Sequence, residues 1–159
     1  MFQYGIEGWR NLSNGTARIF VEYIDLTSTW WTDESRKHNI TYNHTIYQDG
    51  YRYLGRPVGH WADTDSKIIS FGGFLQYDSG VGWGSILRTG DLNEDSSGNN
   101  SVSNGVASDY FAIEVFNSRS FDNLNLYVQT SLGWEEIEVQ SSSLSESGIT
   151  FSTTVTKLF

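Results

Sequence analysis

The sequence predicts an all-β fold, a curved antiparallel sheet of about eight strands forming part of a membrane β-barrel wall. Three observations carry this expectation. Apolar residues recur with period two along most of the chain, while helical periodicity is weak. The alternate face is polar but seldom fully charged, with glycines interspersed, a mixture that a barrel lumen tolerates. The final strand is amphipathic and the chain closes on an aromatic residue, Phe159.

The elements follow in order. Phe2, Tyr4 and Ile6 alternate with Gln3, Gly5 and Glu7, and a turn-like Asn-Leu-Ser-Asn-Gly follows at 11–15. Ala17, Ile19, Val21 and Tyr23 then alternate with Arg18, Phe20, Glu22 and Ile24. Residues 26–50 are polar and aromatic-rich and read as a connection. Residues 51–58 read as a further strand, limited at its end by Pro57. Ile69, Phe71, Leu75 and Tyr77 define another strand, and Val81, Trp83, Ser85 and Leu87 the next. The Asn-, Ser- and Gly-rich stretch 91–105 reads as a second connection. Phe111, Ile113 and Val115 share one face, as do Leu124, Leu126 and Val128. A short strand is expected at 134–139, after a tight link at 131–133, and a final one at 148–159.

Period two also fits a soluble β-sandwich whose polar face meets water. The last strand favours the barrel: Ile149, Phe151, Val155 and Phe159 share one parity, resembling the sorting signal of outer-membrane proteins. No stretch approaches the ~20 apolar residues of a membrane helix. The start of the chain has neither a basic nor an apolar leader region, so for a membrane β-protein either a signal peptide has been removed or the chain is the back end of something longer.

Composition narrows the function classes. With 19 acidic against 10 basic residues the net charge is -9, which argues against a nucleic-acid partner. It leaves carbohydrate open, since sugars are held through rings and hydrogen bonds rather than net charge. There is no cysteine, hence no disulfide framework and no thiolate nucleophile or metal site.

A more specific signal lies between residues 20 and 65. Phe20-Val21-Glu22-Tyr23-Ile24-Asp25 precedes Tyr42-Asn43-His44-Thr45-Ile46-Tyr47, and then comes Gly50-Tyr51-Arg52-Tyr53-Leu54-Gly55-Arg56-Pro57-Val58-Gly59-His60, with Asp63 and Asp65 beyond. This set resembles the C-terminal part of the capsule assembly protein family of Gram-negative bacteria, and Gly90-Asp91-Leu92-Asn93 is similar to a further family feature. The resemblance implies a large barrel in the cell outer membrane with an associated helical bundle. It implies a surface lectin that attaches and organises capsular polysaccharide and is not an enzyme. Its partners would be capsular or extracellular polysaccharide, outer-membrane lipid, and the N-terminal barrel and helical regions of a longer parent. The whole of 1–159 would then be the C-terminal portion of that barrel.

The candidate ligand-binding residues are Trp30, Trp31, His44, Tyr47, Arg52, Arg56 and His60. Aromatic faces stack on sugar rings, and Arg and His donate to hydroxyls or sugar carboxylates. A structural role competes for each: Tyr and Trp also populate interfacial belts, and the arginines can pair with Glu7, Glu22 or Glu114. His38, His44, His60, Asp63 and Asp65 match neither a zinc signature nor a calcium loop, so no metal and no cofactor is expected. Two alternatives stay open, a soluble or secreted carbohydrate-binding β-sandwich and a glycoside hydrolase. Nothing selects a catalytic carboxylate pair, and Gly82-Trp83-Gly84-Ser85 lies in a strand pattern rather than a nucleophile elbow. Counting strands back from Phe159 places 26–50 outside the cell and 91–105 on the periplasmic side, although outer loops are usually the longer ones.

Overall fold

A computed structural model describes residues 2–27, 42, 52–53, 56–57, 59–94, 96 and 100–157. Nine strands are described: β1 (Phe2–Leu12), β2 (Gly15–Asp25), β3 (Arg52–Tyr53), β4 (Arg56–Pro57), β5 (Lys67–Tyr77), β6 (Val81–Leu92), β7 (Ser108–Phe121), β8 (Leu126–Val139) and β9 (Ser145–Lys157). Seven of them form one curved, unclosed antiparallel sheet in the order β1-β2-β5-β6-β7-β8-β9. This is the expected all-β barrel wall. At 11–14 residues, each sheet strand is long enough to cross a bilayer at a tilt.

Two sequence expectations change. Residues 51–58 do not add a strand to the sheet: β3 and β4 are two-residue strands that pair only with each other. Nor is there a link at 131–133, because β8 runs unbroken through it. Ser131, Leu132 and Gly133 face Phe116, Val115 and Glu114 on β7 and Ser152, Phe151 and Thr150 on β9. A Ser-Leu-Gly run suits a turn locally, but two flanking ladders hold it extended.

The register sorts side chains into two faces. One row of direct partners crosses all seven strands as Ile6, Val21, Phe71, Leu87, Ile113, Trp134 and Ile149. Every member is apolar, and Ile6 and Ile149 are 76% and 77% exposed. Six of the seven members stand exposed, an apolar surface of the kind that marks contact with another apolar phase or partner. The opposite face carries Glu7, Arg18, Glu22, Ser70, Arg88 and Glu114. There Arg18 pairs with Glu7, Arg88 lies 3.8 Å from Glu114, and the Ser131 and Ser152 hydroxyls are 2.8 Å apart. Phe20, Phe74 and Phe116 also form a ring series on this face, with centroids 5.8 and 5.2 Å apart. Phe20 lies over Gly72 and Phe116 over Gly84, where any Cβ would displace the ring. Rings laid over strand glycines in this way cover bare backbone and help pin the register.

The two ends of the sheet differ. Short turns at 13–14, 78–80 and 122–125 close one end, the last as a 3-10 turn over Asp122–Leu124. The connections 26–66, 93–107 and 140–144 all leave the other. The expectation that 91–105 lies opposite 26–50 is therefore overturned. The invented link at 131–133 and the supposed strand at 51–58 had each inverted the count.

Gly90 marks the start of the loop end. A Cβ there would run into the Lys67 carbonyl oxygen and press the Ile68 backbone at 2.9 Å. Since that obstacle is backbone of the neighbouring strand, Gly90→Ala is expected to destabilise the fold by about 1–3 kcal/mol. Gly8→Ala, which meets nothing within 4 Å, should be close to neutral. Urea unfolding midpoints of the two variants in detergent check the contrast.

Candidate functional site

The loop end is held by a small core and a polar knot. Ile24, Leu26, Tyr42, Ala62, Ile68, Leu92, Tyr110 and Ala112 form the buried apolar cluster, with Val102 and Ile137 packed against it. Ile24, Ile68, Tyr110 and Ala112 come from the polar face of the sheet, so the connections fold over that face. Around this core Asp63, Thr64, Asp65, Ser66 and Asn93 are fully buried. Asp63, Asp65 and Asn93 adopt left-handed backbone conformations with φ of 62°, 53° and 53°, which Asp and Asn tolerate better than most residues.

Buried polar groups need partners, and Asn100 supplies several. Its Nδ2 donates to the Ala62 and Thr64 carbonyls at 2.9 Å each, and its Oδ1 accepts from the amides of Val102 at 2.9 Å and Ser103 at 3.1 Å. Asp63 Oδ2 accepts from both the amide and the hydroxyl of Ser101 at 2.9 Å, while its Oδ1 caps the Thr64 amide at 2.7 Å. The segments 60–66 and 100–103 are thus tied side by side. Each such group left without its partner would cost about 1–3 kcal/mol, enough to make the knot a rigid unit.

His60 and Trp61 stand beside it. The His60 amide donates to the Tyr42 hydroxyl at 2.8 Å, and the ring's Nδ1 accepts from the Ala62 amide at 3.2 Å. An accepting Nδ1 places the neutral ring's proton on Nε2. Burial lowers the His60 pKa; Glu22 opposes that shift and Arg88 adds to it. Tyr42 reaches this position because residue 59 is glycine, where a Cβ would strike its hydroxyl. Trp61 is 39% exposed, with its ring centroid 4.9 Å from that of Tyr110 and 5.4 Å from that of His60. Tyr110 in turn donates to Glu135 at 3.4 Å. It helps line a shallow cleft of about 170 Å³ with Arg88, Glu114, Ser131, Glu135 and Thr150. Trp61 does not line this cleft but touches Tyr110, which does, so an exposed aromatic and a polar cleft adjoin through one shared residue. An exposed ring can stack on a ligand ring, and hydroxyls, carboxylates and a guanidinium can hydrogen-bond its hydroxyls.

Of the residues expected from sequence, His60 is part of this cluster. Arg52 and Arg56 fall on the β3–β4 hairpin, and they are not direct partners there, since Arg52 faces Pro57 and Arg56 faces Tyr53. Trp30, Trp31, His44 and Tyr47 lie outside the described residues. Asp63 serves as a hydrogen-bond acceptor within the knot, and among the described residues no three His, Asp or Glu gather as a metal site. Sequence reasoning missed Trp61, Tyr110 and Asn100. Parity could have flagged Tyr110, which shares a face with Ala112 and Glu114.

Fold and site together define an unclosed β-barrel wall whose polar face is capped at one end by a knot of polar loops. The family model for capsule assembly protein Wzi matches residues 2–147. The chain belongs to that capsule assembly family, which is not a known enzyme family. No curated protein and no solved structure matches the chain.

The lowered pKa of His60 gives the loop cluster a pH dependence of definite sign. Above the ordinary value of 6.5 the ring is neutral in both the folded and unfolded states and contributes nothing to the pH dependence. As pH falls through that value the unfolded chain takes up the proton first, so stability declines until the folded ring titrates as well. Amide exchange at Ala62 and Trp61 fluorescence should report loosening on acidification below about pH 6.5. His60→Gln should flatten the dependence, and an unchanged profile in that variant would remove His60 as its source.

Proposed function

We propose that this chain is the C-terminal portion of an outer-membrane β-barrel that helps attach and assemble capsular polysaccharide at the cell surface. The observation that carries the reading is the unbroken apolar row across seven strands, from Ile6 to Ile149, midway along a face whose charged residues lie only toward its two ends. Membrane backbone must be hydrogen-bonded within a closed sheet, and no helix among the described residues is long and apolar enough to cross a bilayer. In this reading the apolar face meets lipid and the polar face lines the lumen. β1 and β9 pair on one side only among the described strands, and further strands of the parent barrel, with its helical region, would complete the wall. A sandwich would need a second sheet over the apolar row, whereas the row's residues stand largely exposed.

Barrels usually combine short periplasmic turns with longer outer loops. This favours placing the connections 26–66, 93–107 and 140–144 at the cell surface. Polysaccharide would be held there by Trp61, His60 and the Arg88–Glu114 cleft, with Trp30, Trp31, His44, Tyr47, Arg52 and Arg56 as further contacts from the same long connection. The ligand is bound rather than turned over.

Two measurements test this. Single cysteines at Ser142 and Asn14, in a chain that has none, should react oppositely with a membrane-impermeant thiol reagent on intact, capsule-free cells. Position 142 should label and position 14 should not; the reverse pattern would invert the proposed orientation. Trp61→Ala in the full-length protein should weaken polysaccharide retention roughly fivefold, the equivalent of about 1 kcal/mol of ring stacking, at unchanged barrel level. Normal retention would remove Trp61 from the site, and the same assay on a Trp30→Ala/Trp31→Ala variant assigns those two.

A further inference from the structure

On the apolar face every charged strand residue sits at one of the two ends, and the signs are sorted. Toward the loop end the face carries Asp25, Asp91, Asp109, Glu136 and Glu138, with Lys67 among them. Toward the turn end, among the described residues, it carries three charged side chains, Arg10, Arg119 and Lys157, all cationic. Between them lie the apolar rows. Arg10 and Arg119 stand two residues before the ends of β1 and β7, and Lys157 is the last residue of β9. All three are exposed. Arg119 lies 5.0 Å over the Phe121 ring, and Phe121 faces Leu126, which faces Lys157 on the next strand. An apolar ring is therefore flanked by two cations on the same face.

We propose that Arg10, Arg119 and Lys157 form a binding collar for the phosphate of anionic phospholipid headgroups at the turn end of the wall. The inference rests on the membrane reading above. Long cationic side chains at the edge of an apolar band run their stems along the hydrocarbon and lift their charges to headgroup level. Arginine there can chelate a phosphate with two parallel hydrogen bonds, and the Phe121 ring seats at the same boundary as an interfacial aromatic. The opposite end of the face, lined with carboxylates, repels the same headgroups. The collar thus selects the lipid and the end of the barrel that meets it.

The test uses the full-length protein purified in neutral detergent and reconstituted into vesicles of phosphatidylglycerol or of phosphatidylcholine, with retained lipid counted by native mass spectrometry. The wild type should hold phosphatidylglycerol in preference, and the preference should shrink as salt is raised. Arg10→Gln/Arg119→Gln/Lys157→Gln should lower phosphatidylglycerol retention roughly fivefold per charge removed and leave phosphatidylcholine retention unchanged. Arg10→Lys/Arg119→Lys should keep most of the preference. Equal retention of the two lipids by the wild type, or a preference that persists in high salt or in the glutamine variant, overturns the collar alone. Failure of the wild type to enter either vesicle overturns the membrane reading, and the collar with it. The salt series needs no variant, so a glutamine protein that fails to fold leaves the proposal decidable.

Discussion

Everything in this molecule depends on an unbroken antiparallel ladder. Once the backbone donors and acceptors of seven strands are committed to one another, each side chain must point to one of two faces. A slip of a single residue in any pair would move that strand's entire apolar set to the wrong side. The sheet holds its register with several independent devices. Short turns fix three of the six pairings from outside, rings laid over Gly72 and Gly84 key neighbouring strands together, and paired polar groups such as Arg18 with Glu7 join strands on the polar face. The row from Ile6 to Ile149 is the visible result, with each strand contributing one apolar residue at the same height of the ladder.

The same ladder explains why the candidate site lies where it does. A wall with one face committed to apolar contacts has only its other face and its ends left for polar chemistry. The short turns leave almost no chain at one end. The long connections instead fold over the polar face at the other, bringing the Asp63 and Asn100 knot against Ile68 and Tyr110. With that knot in place Trp61 is supported from below by Tyr110 and flanked by His60, while part of its ring stays open. Support from packed neighbours and exposure to solvent thus meet in one residue.

Much of this was legible in the sequence, and the parts that were not have physical causes. Strict alternation such as Phe111, Ile113 and Val115 identified strands because one face there is wholly apolar while the other mixes Tyr110 and Ala112 with Glu114. The alternation in fact runs through Ser131-Leu132-Gly133, with Leu132 on the apolar face, but a small polar residue and a glycine there imitate a turn. What keeps that segment extended is pairing to β7 and β9 on both sides, through partners 15 to 21 positions away in the chain. Residues 51–58 misled in the opposite way: their aromatics suit a strand, but Arg52 and Arg56 join only a short hairpin outside the sheet. The knot was hidden because its bonds link residues 34 to 38 positions apart. His60 could be nominated from its motif, whereas the partners that fix its ring could not.

The alternation of short turns and long connections also bears on how the wall assembles. β1–β2, β5–β6 and β7–β8 are each joined by a turn of a few residues, so each can close as a hairpin through local contacts alone, on a microsecond scale. Joining one hairpin to the next requires closing a much larger loop, above all the connection 26–66, at an entropic cost that grows with the logarithm of its length. Pairing within hairpins is therefore fast and pairing between them slow. The wall is expected to grow in two-strand increments, each adding both of its strands to a waiting edge, while β9, joined to β8 by the five residues 140–144, extends the β7–β8 hairpin through local contacts.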